Sequence, residues 1–565
     1  MRGIGDVMIL LRGRRRSSSE RVDSSCVLLI MYYSCYWLSV LLTVCTGLFE
    51  VSSARQVFSD TAAEISYAYQ SLDVAGRTSK AASWQDKFSW RPVSELPMRT
   101  GSSTITTTSL SHEHSRGHGV QANLMHRYAP SSPFRPINAT HEQLMKESIA
   151  RDHVRVTGIH AYIQQRVLSG RMTIPAPQGR FHNLDQQFAA AASDLQAPVV
   201  SGLTMGSGEY FVRLSIGTPP KATYLVVDTG SDILWLQCAP CLNCYQQDDP
   251  VFNPSGSSTY ATVACGSKLC QDLDISGCQM SDCLYQVDYG DGSFTVGEFS
   301  TDTITLESTA STAGPGRAAV VLNSIPMGCG HDNEGYFVGA AGLLGLGKGP
   351  LSFPSQVGPA IGEKFSYCLT DRETDTSDSS LLIFGNASVP ASGVTFTPQA
   401  KNARIGTFYY LQLTGISVGG NLLDSIPTQV FQLDDATGEG GVIIDSGTSV
   451  TRLAMPAYRA MRDAFRAGTR RLRPAPGFSL FDTCYNLAGM MSVDVPTVTL
   501  HFQNGADMDF PASNYLIPVD NSNTYCFAFA GTTGPSIIGN IQQQGFRVVF
   551  DNVNNQVGFV PGQCA

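Results

Sequence analysis

From about residue 208 onward the chain alternates short apolar runs with turn residues. The runs "YFVRLSIG" from Tyr210, "TYLVVD" ending at Asp228, "CLYQVDYG", "FYYLQLTGISVGG", "TVTLHF" and "FRVVFD" are β-branched or aromatic and are bounded by Gly, Pro, Asn or Asp. That pattern predicts an all-β body. One helix is expected within it, in "PAYRAMRDAFRAGTRRLR", with Pro456 in its first turn and Arg470, Arg471 and Arg473 as a solvated basic end. Residues 55–195 read differently: rich in Ser, Thr, Ala and Gln, and free of cysteine. Their most regular part is Thr140–Leu168, where Thr140 and Gln143 fit a capping box and Leu144, Ile149, Val154, Ile159 and Ile163 form a loose helical stripe.

Two stretches break the apolar runs with a carboxylate. "VVDTGSDILWL" sets Asp228 among hydrophobic residues, and "VIIDSGTSVTRL" repeats the arrangement around Asp445. Burying an unpaired charge is costly, so the repetition calls for a reason. The repeat extends further. "YFVRLSIG" leads to Asp228 and is followed by "GLLGLG", placing Gly345 behind two leucines; "YYLQLTGISVGG" leads to Asp445 and is followed by "SIIGN", placing Gly539 behind two isoleucines. Two similar lobes are therefore expected, each presenting one aspartate.

Charge and cysteine usage narrow the function classes. Residues 1–54 hold 6 basic and 4 acidic groups, residues 55–195 hold 15 and 11, and the rest holds 17 against 32. An acidic body of that kind argues against a nucleic-acid partner. At the N-terminus, Arg12, Arg14, Arg15 and Arg16 precede an apolar stretch from Cys26 to Phe49, with Ser52, Ser53 and Ala54 after it. That layout fits a cleaved signal peptide; the stretch is also long enough for an uncleaved membrane anchor, the only route to membrane association foreseen. Of 15 cysteines, Cys26, Cys35 and Cys45 fall there and 12 remain for the body. The cluster from Cys238 to Cys283 contains no histidine, so disulfides in an oxidising compartment are expected rather than zinc, and no metal or cofactor is called for.

Two carboxylates brought within hydrogen-bonding distance cannot both ionise easily; one keeps a proton while the other acts as a base. Such a pair can hold a water, deprotonate it for attack on a carbonyl, and protonate the leaving amine. Gly230 and Gly447 would let the loop backbones approach closely. Thr229 and Ser446 would hydrogen-bond across the lobes, and Ser231 and Thr448 would orient the carboxylates. On the basic side, Arg151, Arg155, Arg166 and Arg171 are expected to lay residues 55–195 against the acidic body as an inhibitory prosegment, released when carboxylates protonate; the plainer alternative is a linker with one amphipathic helix.

Residues 196–565 resemble pepsin-like aspartic peptidases, and most closely the nepenthesin type of plants. The resemblance rests on "DTGSDILWL" with Trp235 seven residues after the aspartate, on "YGDGS" at 289–293, on "DSGTS", and on the two apolar-apolar-Gly motifs. It implies a bilobal acid-protease fold with a cleft between pseudo-symmetric lobes. It also implies catalytic Asp228 and Asp445, and a flap whose Tyr289 closes over substrate and bonds to Trp235. The cysteine-rich insertion implies pairing of Cys238 with Cys241, Cys244 with Cys329, Cys265 with Cys283, Cys270 with Cys278, Cys368 with Cys564, and Cys484 with Cys526. "SGEYFVRLSIGTPP" and "GCGHDNEGYFVGAAGLLGLG" resemble the guard-cell subgroup, and no saposin-like insertion follows Asp445.

The expected organisation is 1–54 signal peptide or anchor, 55–195 prosegment, 196–390 first lobe and 391–565 second lobe. The expected function is a monomeric aspartic endopeptidase acting on proteins or peptides, secreted as a zymogen to the apoplast or vacuole and active at acidic pH. The alternative is a non-catalytic binding or inhibitor protein on the same scaffold. Other motifs read blandly. "GLLGLGKG" nearly matches a phosphate loop, but Gly349 replaces the hydroxyl that magnesium needs. His331 reads as structural, Asn386 in "NAS" as a glycosylation acceptor, and Asn138 in "NAT" lies in the prosegment.

Overall fold

The computed structural model describes residues 68–74, 107–109, 120–169, 210–289, 293–308, 319–335, 337, 339–370, 381–562 and 564. The chain divides into two compact units, Met1–Ile65 and Ser66–Ala565, and every described residue belongs to the second. The apolar stretch 26–49 and Arg171 lie outside the described residues. Among the described residues no helix is long and apolar enough to cross a membrane.

The expected repeat appears as the same five-strand knot in each lobe. In the first, Tyr210–Ile216 runs antiparallel to Lys221–Asp228, which lies parallel to Gly342–Gly345, with Gly345 opposite Asp228. Gly342–Gly345 in turn meets Trp235–Gln237 antiparallel, and that strand is flanked in parallel by Gly328–Gly330. In the second lobe Tyr409–Leu411 is antiparallel to Val442–Ile444, and Ser536–Ile538 is parallel to it. Arg452, in Thr451–Ala454, pairs antiparallel with Ile537, and Phe529–Thr532 flanks that strand in parallel. All-β architecture with two pseudo-symmetric lobes follows directly.

The glycine after each apolar pair has a steric reason. A Cβ on Gly345 would collide with the carbonyl carbon of Asp232, and one on Gly539 would lie 2.5 Å from the Ser449 carbonyl oxygen. Only a residue without a side chain lets these strands pass so close to the aspartate loops. The phosphate-loop-like "GLLG" is thereby a buried strand, and Lys348 beyond it donates to Gln399 and Asn555.

Residues of the 55–195 region are stitched into this body. Val120–His126 pairs with Tyr210–Ile216 on one side and Leu381–Phe384 on the other, and Tyr69–Asp73 pairs with Ser492–Pro496 of the second lobe. Neither strand is among the expected elements, although Val120, Ala122, Leu124 and His126 alternate inward with period two. The predicted helix runs His141–Ser169. Its capping box forms: the Thr140 amide donates to Gln143 Oε1 at 2.8 Å and the Gln143 amide to Thr140 Oγ1 at 3.2 Å. Leu144, Ile149, Ile159 and Ile163 are buried and Val154 is half-buried. The helix in the second lobe spans Met455–Gly468 and buries Ala457, Tyr458, Met461 and Phe465, with Arg470, Arg471 and Arg473 exposed beyond its end.

Among the described residues six disulfides form. Cys368–Cys564 and Cys484–Cys526 match the expectation. The other four pairings are corrected: Cys238–Cys329, Cys241–Cys244, Cys265–Cys278 and Cys270–Cys283 replace 238–241, 244–329, 265–283 and 270–278. Strand register decides the first. Trp235–Gln237 lies beside Gly328–Gly330, which brings Cys238 to a Cα separation of 5.3 Å from Cys329 and leaves Cys241 and Cys244 to each other. Burial sorts the second set. Cys270 and Cys283 are inside the core, while Cys265 is half-buried and Cys278 exposed, so inner joins inner and outer joins outer.

Candidate active site

Asp228 ends its strand and Asp445 directly follows Val442–Ile444, so the two knots deliver both carboxylates to the seam between lobes. They are 1 % and 0 % exposed. Each is held alike. The Gly230 amide donates to Asp228 Oδ1 at 2.9 Å and Ser231 Oγ to Oδ2 at 2.7 Å; the Gly447 amide donates to Asp445 Oδ1 at 3.0 Å and Thr448 Oγ1 to Oδ2 at 2.6 Å. The loops grip one another through Thr229 and Ser446: the Ser446 amide donates to Thr229 Oγ1 at 2.8 Å and the Thr229 amide to Ser446 Oγ at 3.2 Å.

A cation sits between the carboxylates. Arg155, on the helix His141–Ser169, places Nη2 2.5 Å from Asp228 Oδ1 and 2.9 Å from Asp445 Oδ2, while Nε donates to Asp445 Oδ2 at 3.0 Å. Burial works against the guanidinium's charge, but the charges and hydrogen bonds of Asp228 and Asp445 outweigh it and raise its pKa. The close approach leaves no room for side chains at the loop glycines. A Cβ at Gly230 would come within 2.5 Å of Arg155, and one at Gly447 would collide with the same guanidinium.

The rest of the helix follows the cleft. Arg166 ion-pairs with Asp274 and lies 5.2 Å over the Tyr162 ring; Arg151 instead stacks 5.3 Å from the Tyr128 ring. Asp152, one turn before Arg155, pairs with Arg452. A 550 Å³ cavity beside the helix is lined by Arg155, Tyr162, Asp228, Ser231, Asp232 and Tyr289, among others. Tyr289 accepts a 2.7 Å hydrogen bond from Trp235 Nε1 and packs edge-on against Phe337 at 5.3 Å. Residues 290–292 of the flap motif lie outside the described residues.

Several contributors escaped sequence reasoning. Asp232 accepts from Thr407 Oγ1 at 2.7 Å and from the Gly349 amide at 2.8 Å, and desolvation nevertheless pushes its carboxyl up to about 6. Asn540 donates to the Ser446 carbonyl at 2.9 Å, and Gln543 Nε2 donates to the Asp445 and Ile538 carbonyls. The polar run "NIQQQ" immediately behind "SIIG" was the available signal. His331 is buried, with Nδ1 donating to the Pro240 carbonyl at 2.8 Å, and so pins the cysteine loop to its strand. Asn386 is exposed on a short turn.

Comparisons with known proteins agree with this geometry. Residues 210–386 match the family described as xylanase inhibitor N-terminal, and 408–561 match xylanase inhibitor C-terminal. The chain is 53% identical over 449 residues to aspartyl protease family protein 2 of Arabidopsis thaliana, covering 79% of this chain and 85% of that one. It is 45% identical over 443 residues to the Arabidopsis protein Aspartic Protease in Guard Cell 2, covering 78% and 87%. Identity to aspartic proteinase nepenthesin-1 of Nepenthes gracilis is 40% over 369 residues, covering 65% and 80%. A solved structure, the crystal structure of edgp, aligns at a TM-score of 0.52 with 21% identity, over 64% of this chain and 93% of that one, a likeness of fold.

The bilobal fold and its two matched aspartate loops define a pepsin-like aspartic peptidase. This chain belongs to the nepenthesin-type family of plant aspartic proteases. It is an aspartic-type endopeptidase that acts on proteins or peptides, and its disulfides and relatives are consistent with the secretory pathway.

Proposed function

We propose that the chain is the zymogen of an acid endopeptidase in which Asp228 and Asp445 share a proton and activate one water, while residues 55–195 act as the inhibitory prosegment. One observation carries the reading. A single nitrogen, Arg155 Nη2, lies within hydrogen-bonding distance of both carboxylates. Any one water at that position can reach both too. With one carboxyl protonated and the other ionised, the base takes a proton from that water as its oxygen attacks the scissile carbonyl. The acid's proton then passes to the leaving amine. Ser231 and Thr448 fix the carboxylates, Thr229 and Ser446 hold the lobes in register, and Tyr289 covers the substrate from the first lobe.

In the zymogen that water is displaced by a guanidinium. Its ion pairs need ionised carboxylates, so acidification works against them. Acidification thus both loosens the helix and leaves the pair with its working proton. The non-catalytic alternative gains nothing specific here, since both aspartates, both loop glycines and Tyr289 are in place. We further propose apoplastic export after removal of residues 1–54 and glycosylation at Asn386, which is exposed.

Acidification of the purified full chain tests the proposal, with and without pepstatin. Processing accompanied by pepstatin-sensitive cleavage of a denatured protein is the expected outcome; a stable chain that cuts nothing at any pH between about 3 and 6 rules it out.

A further inference from the structure

Arg155 is not the only charge that the helix buries. Asp152 is 2 % exposed and fills a cradle on the second lobe. Its Oδ1 accepts from the amides of Ser449, at 2.5 Å, and Val450, at 3.1 Å, and its Oδ2 accepts from Arg452 Nη2 at 2.5 Å. Arg452 is itself 3 % exposed, and its other arm donates to the Val450 carbonyl at 3.2 Å. Among the described residues Asp152 is the one carboxylate in an ion pair with Arg452. The cradle belongs to the body; the anion belongs to the segment that leaves.

Release of the helix therefore strips a nearly buried guanidinium of its counter-ion and uncovers it together with two backbone amides. A buried cation left unpaired is costly, so the site is built to take another anion. Its position limits what that anion is. Asp152 precedes Arg155 by three residues, about 4.5 Å along a helix axis. An extended chain advances about 3.3 Å per residue, so the cradle lies one or two residues from the bond poised at Asp228 and Asp445. Met145 and Ile149, which pack in one cluster with Val450 and Ile541, show an apolar collar around the cradle.

We infer that Arg452, with the Ser449 and Val450 amides, forms a specificity subsite for an acidic side chain of the substrate, one or two residues from the scissile bond. The inference rests on the protease reading above. Asp152 occupies this subsite in the zymogen as a substrate-like acid, whereas Arg155 occupies the place of the catalytic water.

The test uses acid-activated full chain and synthetic peptides that carry Glu, Gln or Lys at each of the two positions on either side of a fixed cleavage site, assayed at pH 5 with a pepstatin control. A charge-assisted hydrogen bond of this kind corresponds to roughly a ten-fold or greater preference in kcat/KM for Glu over Gln at one of those positions. Arg452→Glu is expected to invert the order and favour Lys there. Pepstatin-sensitive cleavage with equal kcat/KM for Glu and Gln at every position overturns the inference while leaving the protease reading intact. Absence of pepstatin-sensitive cleavage of every peptide overturns both.

Discussion

Replacing Arg155 by Met keeps the side chain's length and removes its charge, and the effect on the proposed zymogen control follows from the contacts. One guanidinium makes five donor contacts of 2.5 to 3.3 Å to two carboxylates that are almost wholly buried. Each pair, at about 4 Å between charge centres and an effective dielectric constant of about 20, is worth about 4 kcal/mol before desolvation is subtracted. Removing one partner from such a buried group costs about 3–5 kcal/mol. The lower end applies here, because the orphaned carboxylates can share a proton and readmit water. At about 1.4 kcal/mol per decade, helix occupancy of the cleft weakens by roughly a hundred-fold. The assay is the initial rate of pepstatin-sensitive cleavage of a quenched peptide by full-length chain, stepped from pH 7 to pH 3. R155M is expected to be active at a pH where the wild type is silent; Arg155→Lys, a point charge unable to fork between both acids, is expected to fall between them. Coincident activation curves for R155M and wild type would refute the claim that this contact is the lock.

Other perturbations probe separate parts. Asp152→Asn leaves Arg452 without its ion pair but keeps Arg155, so self-processing is expected to begin at a higher pH than in wild type, read as loss of the full-length band on a gel. Thr229→Val leaves the buried Ser446 amide without its acceptor, and the midpoint of chemical denaturation at neutral pH is expected to fall by an amount corresponding to about 1–3 kcal/mol. Tyr289→Phe removes the acceptor for Trp235 Nε1 and is expected to lower kcat/KM more than it lowers the denaturation midpoint. Asp232, raised by burial to about 6, holds its proton more tightly folded than unfolded, so its contribution favours the fold at acid pH and fades as pH rises from about 4 to about 6. Asp232→Asn, compared in an Asp445→Asn background that cannot cut itself, is expected to flatten that part of the stability profile; an unchanged slope contradicts the burial argument.

What could be read from the sequence tracks the range over which each feature is determined. Aspartate loops, the strands that carry them and the closing glycines are local patterns repeated twice, and Gly345 and Gly539 sit where backbone contact excludes a side chain. The capping box at Thr140 is local as well. Disulfide pairing in the insertion is not, because Cys238 meets Cys329 through the register of strands separated by 91 residues, which spacing does not encode. The helix's basic residues pointed to the acidic body, but not to which carboxylates. Asp152 and Arg155 occupy the same helical face as Ile149, Ile159 and Ile163, where a hydrophobic stripe is normally uninterrupted. Such an interruption marks charges with partners waiting, and its weight was visible only once the cleft was.

If the helix is the inhibitory segment proposed above, the same geometry explains how it would block the cleft without being cut. In the proposed mechanism, cleavage needs a carbonyl carbon at a water shared by Asp228 and Asp445, delivered by an extended chain. A helix keeps its carbonyls in internal hydrogen bonds and advances about 1.5 Å per residue, so it presents side chains to the pair instead of a peptide bond. On this reading Arg155 displaces the nucleophile itself, and Asp152 holds the register by filling the Arg452 cradle three residues away. A chain bearing both charges but unable to stay helical would lose this protection. Replacing Ile159 by proline, whose ring clashes with the Arg155 carbonyl, disrupts the helix at a cost of about 3 kcal/mol while both charges remain in the sequence. The substituted segment is expected to lose inhibition and to become a cleavage site itself, detectable as a new N-terminus between residues 150 and 165 after mild acidification; intact inhibition by the Ile159→Pro chain would mean that the charges suffice without the helix.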